Sequence, residues 1–297
     1  MWFKNLRFFR LHPDWKLDTL DDAVAKHAFT PGGSQDPVSL GWTAPRDDTD
    51  LVHRIDGQIL LCAKAEKKLL PTTVINQIAR ERAKDKAAEQ GYKVGRKQMR
   101  DLKDDLIIEL LPRAFSVKRE IFVWIDPVNR WLAVDAAAAA TADEVMGLLA
   151  KTFEVFPAVP VYTALSPSSA MTSWLAEFTA PYPFSIDQDA ELRASGESRA
   201  VVRYARHNLD SDEVRKHISD GKQCTRLALT WADKISFVLT DGLEVKRLVP
   251  TDLLTDQQEQ NAQDEAQSFD SQFLLMSTEL NVLISEMLEA LGGEKSH

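Results

Sequence analysis

Cysteine is almost missing from this chain: Cys62 and Cys224 are the only two among 297 residues. They stand far apart, and Cys62 lies in an apolar strand-like run, so both read as reduced thiols of a cytoplasmic protein. Long apolar runs are missing too. None reaches the roughly 18–20 residues of a membrane span. The apolar N-terminal stretch is broken by Lys4, Arg7 and Arg10 and has no small-residue cleavage site, so it does not read as a signal peptide. Enzyme signatures are also lacking: there is no Gly-rich phosphate loop ending in Gly-Lys-Ser/Thr, no Gly-x-Gly-x-x-Gly, no His-Glu-x-x-His and no Cys-x-x-Cys. The six histidines (12, 27, 53, 207, 217, 297) are scattered, with no local metal-ligand spacing. No cofactor and no metal is implied.

What is present is charge in blocks. From Ile78 to Lys103 there are nine Lys/Arg against four acids, inside a chain whose net charge is −9. From Pro250 onward there are ten acids and one base, Lys295, while residues 1–249 carry equal numbers of each sign. The overall acidity therefore belongs to the C-terminal segment and does not argue against an anionic partner elsewhere, because the local field governs a binding face.

Periodicity places these charges on elements. Trp2 to Leu11 reads as a strand, and Asp18 to His27 as a short helix capped by Asp18 or Thr19. Leu51 to Ala63 carries a hairpin signal at Asp56-Gly57. Pro71 opens a helix with Val74, Ile75 and Ile78 on its apolar side, and Gly91 ends it. A second helix runs from about Gly95 to Leu111. Its Arg96, Lys97, Arg100 and Lys103 share one face, and Met99, Leu102, Leu106 and Leu110 the adjoining one. The pair reads as a helical hairpin, apolar where it packs and cationic where it faces out. Glu120 to Val134 is a second hairpin, and Ala136 to Phe153 a helix. A Pro-punctuated, loop-rich middle holds a short helix at Ser169 to Phe178, and Ser211 starts a helix through Ser219. Cys224 to Leu248 is a third hairpin, and Ser268 to Leu291 a long amphipathic helix. The fold class expected is α+β: antiparallel hairpin sheets with packed helices and a projecting helical-hairpin tip.

Several residues carry two readings. Asp126 and Asp135 flank a hairpin, and such a pair can hold Mg²⁺ for phosphodiester cleavage; the plainer reading is a turn residue before Pro127 and a strand-end acid. Gly32-Gly33-Ser34 is either an anion cradle or a simple turn. Phe115 is either a core residue or an exposed anchor for a partner surface. The C-terminal helix either covers a sheet in its own subunit or contributes to a dimer interface. The basic hairpin is either a solvated helix face or a phosphate track. Further cations flank it: Lys64, Lys67 and Lys68 before, Arg113, Lys118 and Arg119 after, and Arg203 and Arg206 later in the chain. With no helix-turn-helix, no zinc-finger spacing and no aromatic stacking platform, that pattern favours backbone contact without base readout. Two rivals from other classes remain: a metal-dependent phosphodiester-cleaving enzyme, and a protein-interaction factor whose basic hairpin docks an acidic partner.

Taken together, several segments resemble the recombination-associated RdgC family. They are Trp2-Phe-Lys-Asn-Leu, Ala28-Phe-Thr-Pro-Gly-Gly-Ser-Gln-Asp followed by Gly41-Trp42, and Asp56-Gly-Gln-Ile. Further on they are Leu110-Leu-Pro-Arg-Ala-Phe-Ser, Trp124-Ile-Asp-x-Val-Asn, Leu227-Ala-Leu-x-Trp, Lys246-Arg-Leu and Leu291-Gly-Gly-Glu. The likeness runs almost end to end; the Ala136 to Ala140 run and the 193–207 segment depart from it. The resemblance implies a non-enzymatic, nucleoid-associated cytoplasmic protein with no membrane contact. It implies a horseshoe-shaped subunit that pairs into a ring-shaped homodimer, binds double- and single-stranded DNA without sequence preference and restrains the RecA recombinase. It places a gate at Phe115 and DNA contact or ring opening at Arg113, Arg206 and His207, the last matching an uncharged polar position. The DNA-facing set expected is Lys64, Lys67, Lys68, Arg80, Arg82, Lys84, Lys93, Arg96, Lys97, Arg100, Arg113, Lys118, Arg119, Arg203, Arg206 and His207. The expected organisation is a centre (1–70 with 116–165), a tip (71–115) and a base (166–297).

Overall fold

The computed structural model describes residues 1–47, 49–196, 199–255 and 265–295. Among them twelve strands occur: β1 (Asn5–Leu11), β2 (Val38–Thr43), β3 (His53–Ile55), β4 (Gln58–Lys68), β5 (Ser116–Asp126), β6 (Trp131–Val134), β7 (Ala158–Val159), β8 (Phe184–Ala194), β9 (Val201–Tyr204), β10 (Lys222–Trp231), β11 (Ile235–Thr240) and β12 (Val245–Pro250). The helices are α1 (Leu20–Lys26), α2 (Thr72–Gln90), α3 (Arg96–Leu110), α4 (Ala139–Thr152), α5 (Pro167–Glu177), α6 (Asp212–Ser219), α7 (Asp252–Thr255) and α8 (Glu265–Ala290). The strands form one open sheet in the order β2-β4-β5-β6-β1-β12-β11-β10-β8-β9, with β3 added to β4 and β7 to β1. The fold is α+β, as the hairpin signals imply.

β1 joins the two halves of this sheet. Its first residues, Asn5 and Leu6, pair with Lys246 and Val245 of β12. Arg7 to Arg10 then pair with β6. The switch of partner leaves the amides of Lys4 and Asn5 without a ladder acceptor on the β6 side. The Asp135 carboxylate, just past β6, accepts both, at 3.2 and 2.8 Å. The Asn5 amide, half-buried, gains from such a partner more than the exposed Lys4 amide does.

Alternation along the strands then builds two cores. β4 sends Ile59, Leu61 and Ala63 to one side and Leu60 to the other, and β5 does the same with Ile121, Val123 and Ile125 against Trp124. α1 and α4 cover the first side, while α5, α6 and α8 cover the second. α8 spans about 39 Å at 1.5 Å per residue, enough to cross both halves of the sheet. Its Asp270 meets His53 of β3 at 2.9 Å, Asn281 accepts from the Trp131 indole at 3.1 Å, and Glu286 accepts from the Trp231 indole. Its apolar stripe, Phe273, Met276, Leu280, Leu283, Ile284, Met287 and Leu288, is buried within the subunit. The acids between positions 256 and 264 lie outside the described residues.

Some local expectations change. Thr19 occupies the N-cap of α1 but its side chain makes no capping bond, and Pro71 sits at the N-cap of α2 rather than inside its first turn. In α2 the buried residues are Ile75, Ala79 and Ala83, whereas Val74 is exposed. The third hairpin is the meander β10-β11-β12, and β10 also pairs with β8. The loop-rich middle contains β8, eleven residues long. Its acids, Asp187, Asp189 and Glu191, disfavour a strand assignment by composition. They are tolerated because they point to the face opposite the core residues Ala190 and Leu192.

Candidate nucleic-acid interface

The tip is the antiparallel pair α2–α3. Small residues on α2, Ala79 and Ala83, lie buried beside Ile75, and from α3 only Leu106 is fully buried. So little apolar cover leaves most of the hairpin in water. Arg82 pairs with Glu109 across the two helices at 2.8 Å. Arg80, Lys84, Lys93, Arg96, Lys97, Arg100 and Arg113 are exposed, and among the described residues none of them has a carboxylate within ion-pair distance. Thr73, Asn76, Gln77, Arg80, Glu81 and Lys84 line an open groove along one side of α2. These cations are not consumed by internal pairs.

Leu111–Arg113 forms a single 3-10 turn that returns the chain to the sheet. Phe115 follows it and is 85% exposed, which excludes the core reading. Its carbonyl accepts the Leu69 amide at 2.7 Å, so the β4–β5 ladder continues one step beyond Lys67↔Val117 and Lys68↔Ser116. Leu69, Val117 and Val38 are also exposed. Phe115 thus stands in an apolar surface at the foot of a cationic tip.

The bases of β4 and β5 do not form one row. Register and alternation put Lys64, Lys68 and Lys118 on one face and Lys67 and Arg119 on the other. Lys64 pairs with Glu120 at 2.9 Å, and Arg119 with Glu144 and, at 3.0 Å, the Thr141 hydroxyl. The hydrogen bond to Glu120 pushes the Lys64 pKa up.

A second basic surface, which the sequence reading recognised only in Arg203, Arg206 and His207, lies on the outer face of β8, β9, β10 and β12. Asp189, Glu191, Arg203, Arg226, Lys246 and Arg247 line a groove of about 290 Å³ there. Glu191 is only 4% exposed. Its carboxylate accepts from Arg203 Nε at 2.7 Å, Arg193 at 3.2 Å and the Thr225 hydroxyl at 3.0 Å. Burial by itself pushes this carboxyl up, but the bonds from Arg203 and Thr225 outweigh it and hold the group below its ordinary value. Asp189 accepts the amide of Arg206 at 2.8 Å, fixing a residue whose φ is 53°. That left-handed corner presents Arg206 and His207 to solvent, with the His207 ring 5.2 Å from that of Tyr204. Arg226 and Lys246 alternate with core residues of β10 and β12, and that alternation was the available signal for them; Arg247, next to Lys246 and with φ 53°, sits at a register irregularity of β12 that alternation does not reveal.

The alternative chemical sites do not assemble. Asp126 is 1% exposed, and its two oxygens accept from the amides of Val128 and Asn129 and from the Asn129 side chain. Asp135 staples β1, as above, and burial pushes its carboxyl up. Asp126 faces Trp131 while the Asp135 amide donates to Phe122, four residues away along β5. At about 3.3 Å per residue the two carboxylates are too far apart to share an ion. Among the described residues no group of three His, Cys, Asp or Glu side chains could hold a metal. The Gly32-Gly33-Ser34 turn uses its own Asp36 as the acceptor of the Gly33 amide, at 2.8 Å, so it is a plain turn. Cys62 and Cys224 are buried free thiols, and burial pushes each up to about 12. No helix among the described residues is long and apolar enough to cross a membrane.

A family model described as "RdgC: Putative exonuclease, RdgC" matches residues 1–294. A recombination-associated protein RdgC of Bordetella parapertussis is 54% identical over 297 residues, covering 99% of both chains. Those of Cupriavidus necator and Herminiimonas arsenicoxydans are 51% and 49% identical, each over 99% or more of both chains. The chain belongs to the RdgC family of recombination-associated proteins.

Proposed function

We propose that this protein binds double- and single-stranded DNA through the phosphate backbone, without reading sequence, as a ring-shaped homodimer that restrains RecA-dependent recombination. The observation that carries the reading is the set of exposed tip cations that have no carboxylate partner among the described residues, Arg80, Lys84, Lys93, Arg96, Lys97, Arg100 and Arg113. Lys and Arg free of internal pairs displace counterions from DNA at little cost, and charge on backbone phosphates carries no sequence information. The exposed Phe115 suits a gate between the tips of two copies, and the outer face around Arg203, Arg206 and His207 supplies a second cationic track. By occupying the strand, the dimer competes with a recombinase filament for the same DNA.

The test is a titration of fluorescent duplex and single strand at several salt concentrations, with the mass of the free protein measured in parallel. Affinity for duplex should fall with a log–log slope of about −0.9 per phosphate neutralised, irrespective of sequence. A flat salt response, or no binding near physiological salt, removes the reading and favours docking of an acidic protein partner. The word exonuclease in the family description motivates a second reading. Asp126 and Asp135 give it no seat, and magnesium-dependent shortening of end-labelled DNA by the purified protein is the observation it requires.

A further inference from the structure

The outer-face groove holds four cations, Arg203, Arg226, Lys246 and Arg247, around two carboxylates, Asp189 and Glu191. If charge alone governed anion binding there, Glu191 would be a defect, since a buried negative charge lowers the field that attracts a phosphate. Its bonding shows another role. Arg203 spends only its Nε on Glu191, at 2.7 Å. The side chain of Arg203 is 72% exposed, so the two terminal nitrogens of the guanidinium face solvent. A guanidinium pinned at Nε keeps its planar fork aimed and loses less rotamer entropy when it closes on an oxyanion. Arg193 is held on the same carboxylate, and Thr225 fixes the carboxylate itself. Across the groove Asp189 lies 3.8 Å from Arg247. Lys246 is paired with Glu244 at 2.8 Å.

We propose that this groove seats a phosphodiester of the nucleic-acid backbone, with Arg203 as its two-pronged donor and Glu191 as the positioning residue that aims Arg203. The inference rests on the DNA-binding reading above and adds to it a defined subsite. Arg226 and Arg247 close the seat from β10 and β12. Glu191 remains bonded throughout, because breaking a buried carboxylate from its partners is costly.

The experiment compares the full-length parent with Arg203→Lys, Arg203→Ala, Glu191→Gln and the Glu191→Gln/Arg203→Ala pair, using a short fluorescent duplex at several salt concentrations. Arg203→Lys keeps the charge but loses the pinned fork, so affinity should fall roughly tenfold, as expected for lost charge-assisted hydrogen bonds. Its salt slope should stay that of the parent, because the number of neutralised phosphates is unchanged. Glu191→Gln should weaken binding although it makes the groove more positive, and should add nothing in the Arg203→Ala background. Parent-like binding by Arg203→Lys, or tighter binding by Glu191→Gln, overturns the subsite while leaving the DNA reading intact. Arg203 is exposed, so its variants test the proposal even if Glu191→Gln does not fold. If the parent itself binds no DNA, the broader reading fails first and the subsite falls with it.

Discussion

Replacing Phe115 by Ala separates a structural residue from an interface residue. At 85% exposure the ring contributes little to its own subunit, and surface substitutions of that kind usually move stability by within about 0.5 kcal/mol. Full burial of a Phe side chain is favourable by about 1.5–3 kcal/mol. In a two-fold symmetric tip contact the same ring is buried twice, so truncation should remove roughly 3–6 kcal/mol. At about 1.4 kcal/mol per tenfold this is a loosening of the tip contact by two to four orders of magnitude. Thermal melts of parent and variant, taken at dilutions that keep the subunits apart, should therefore superimpose. Retention on closed circular duplex should drop against a challenge with competitor, while binding to short linear duplex should change far less. A lowered melting temperature would return Phe115 to the fold. Equal retention on circular and linear DNA by parent and variant would refute the gate.

Other consequences follow from buried and half-buried groups. Asp135→Ala should cost about 1–2 kcal/mol, because it removes the acceptor of the half-buried Asn5 amide and of the exposed Lys4 amide where β1 changes partner; chemical denaturation measures it, and an unchanged midpoint would deny the staple. The Glu191 carboxyl is held below its ordinary 4.5, so its stabilisation is present above that pH and is lost as pH falls through the lower, folded-state value. The stability gap between parent and Glu191→Gln, read by thermal melts from neutral to acid pH, should accordingly be widest near neutrality and close on the acid side; a pH-independent gap would contradict this. Both thiols, buried and pushed up to about 12, should ignore a thiol-reactive dye in the folded protein and react on unfolding, and labelling of either native thiol would contradict their burial.

The resemblance to the RdgC family was legible because short segments recur in order along the whole chain, from Trp2 to Glu294. Inference from spacing alone reached less far. It could say that Asp126 precedes a turn, but not that both its oxygens are used there. It could count the cations flanking the tip, but Lys64 and Lys67 differ by an odd step along β4 and so face opposite ways. It passed over β8, whose acids are unfavourable for a strand until the outer face is known to be polar.

By itself the sequence determined what depends on near neighbours: the Asp56-Gly57 hairpin, the α2–α3 tip, the apolar stripe of α8 and the cationic block within an acidic chain. These follow from local backbone sterics and from periods of two and 3.6 residues, which need no distant partner. Tertiary structure decided what depends on contacts remote in sequence. It exposed Phe115, used Asp135 as a staple for β1, gathered Glu191, Arg203, Arg226 and Arg247 in one groove, and laid α8 across both half-sheets. Those outcomes rest on strand register and on which buried polar groups find partners, and neither quantity is written in any single stretch of the chain.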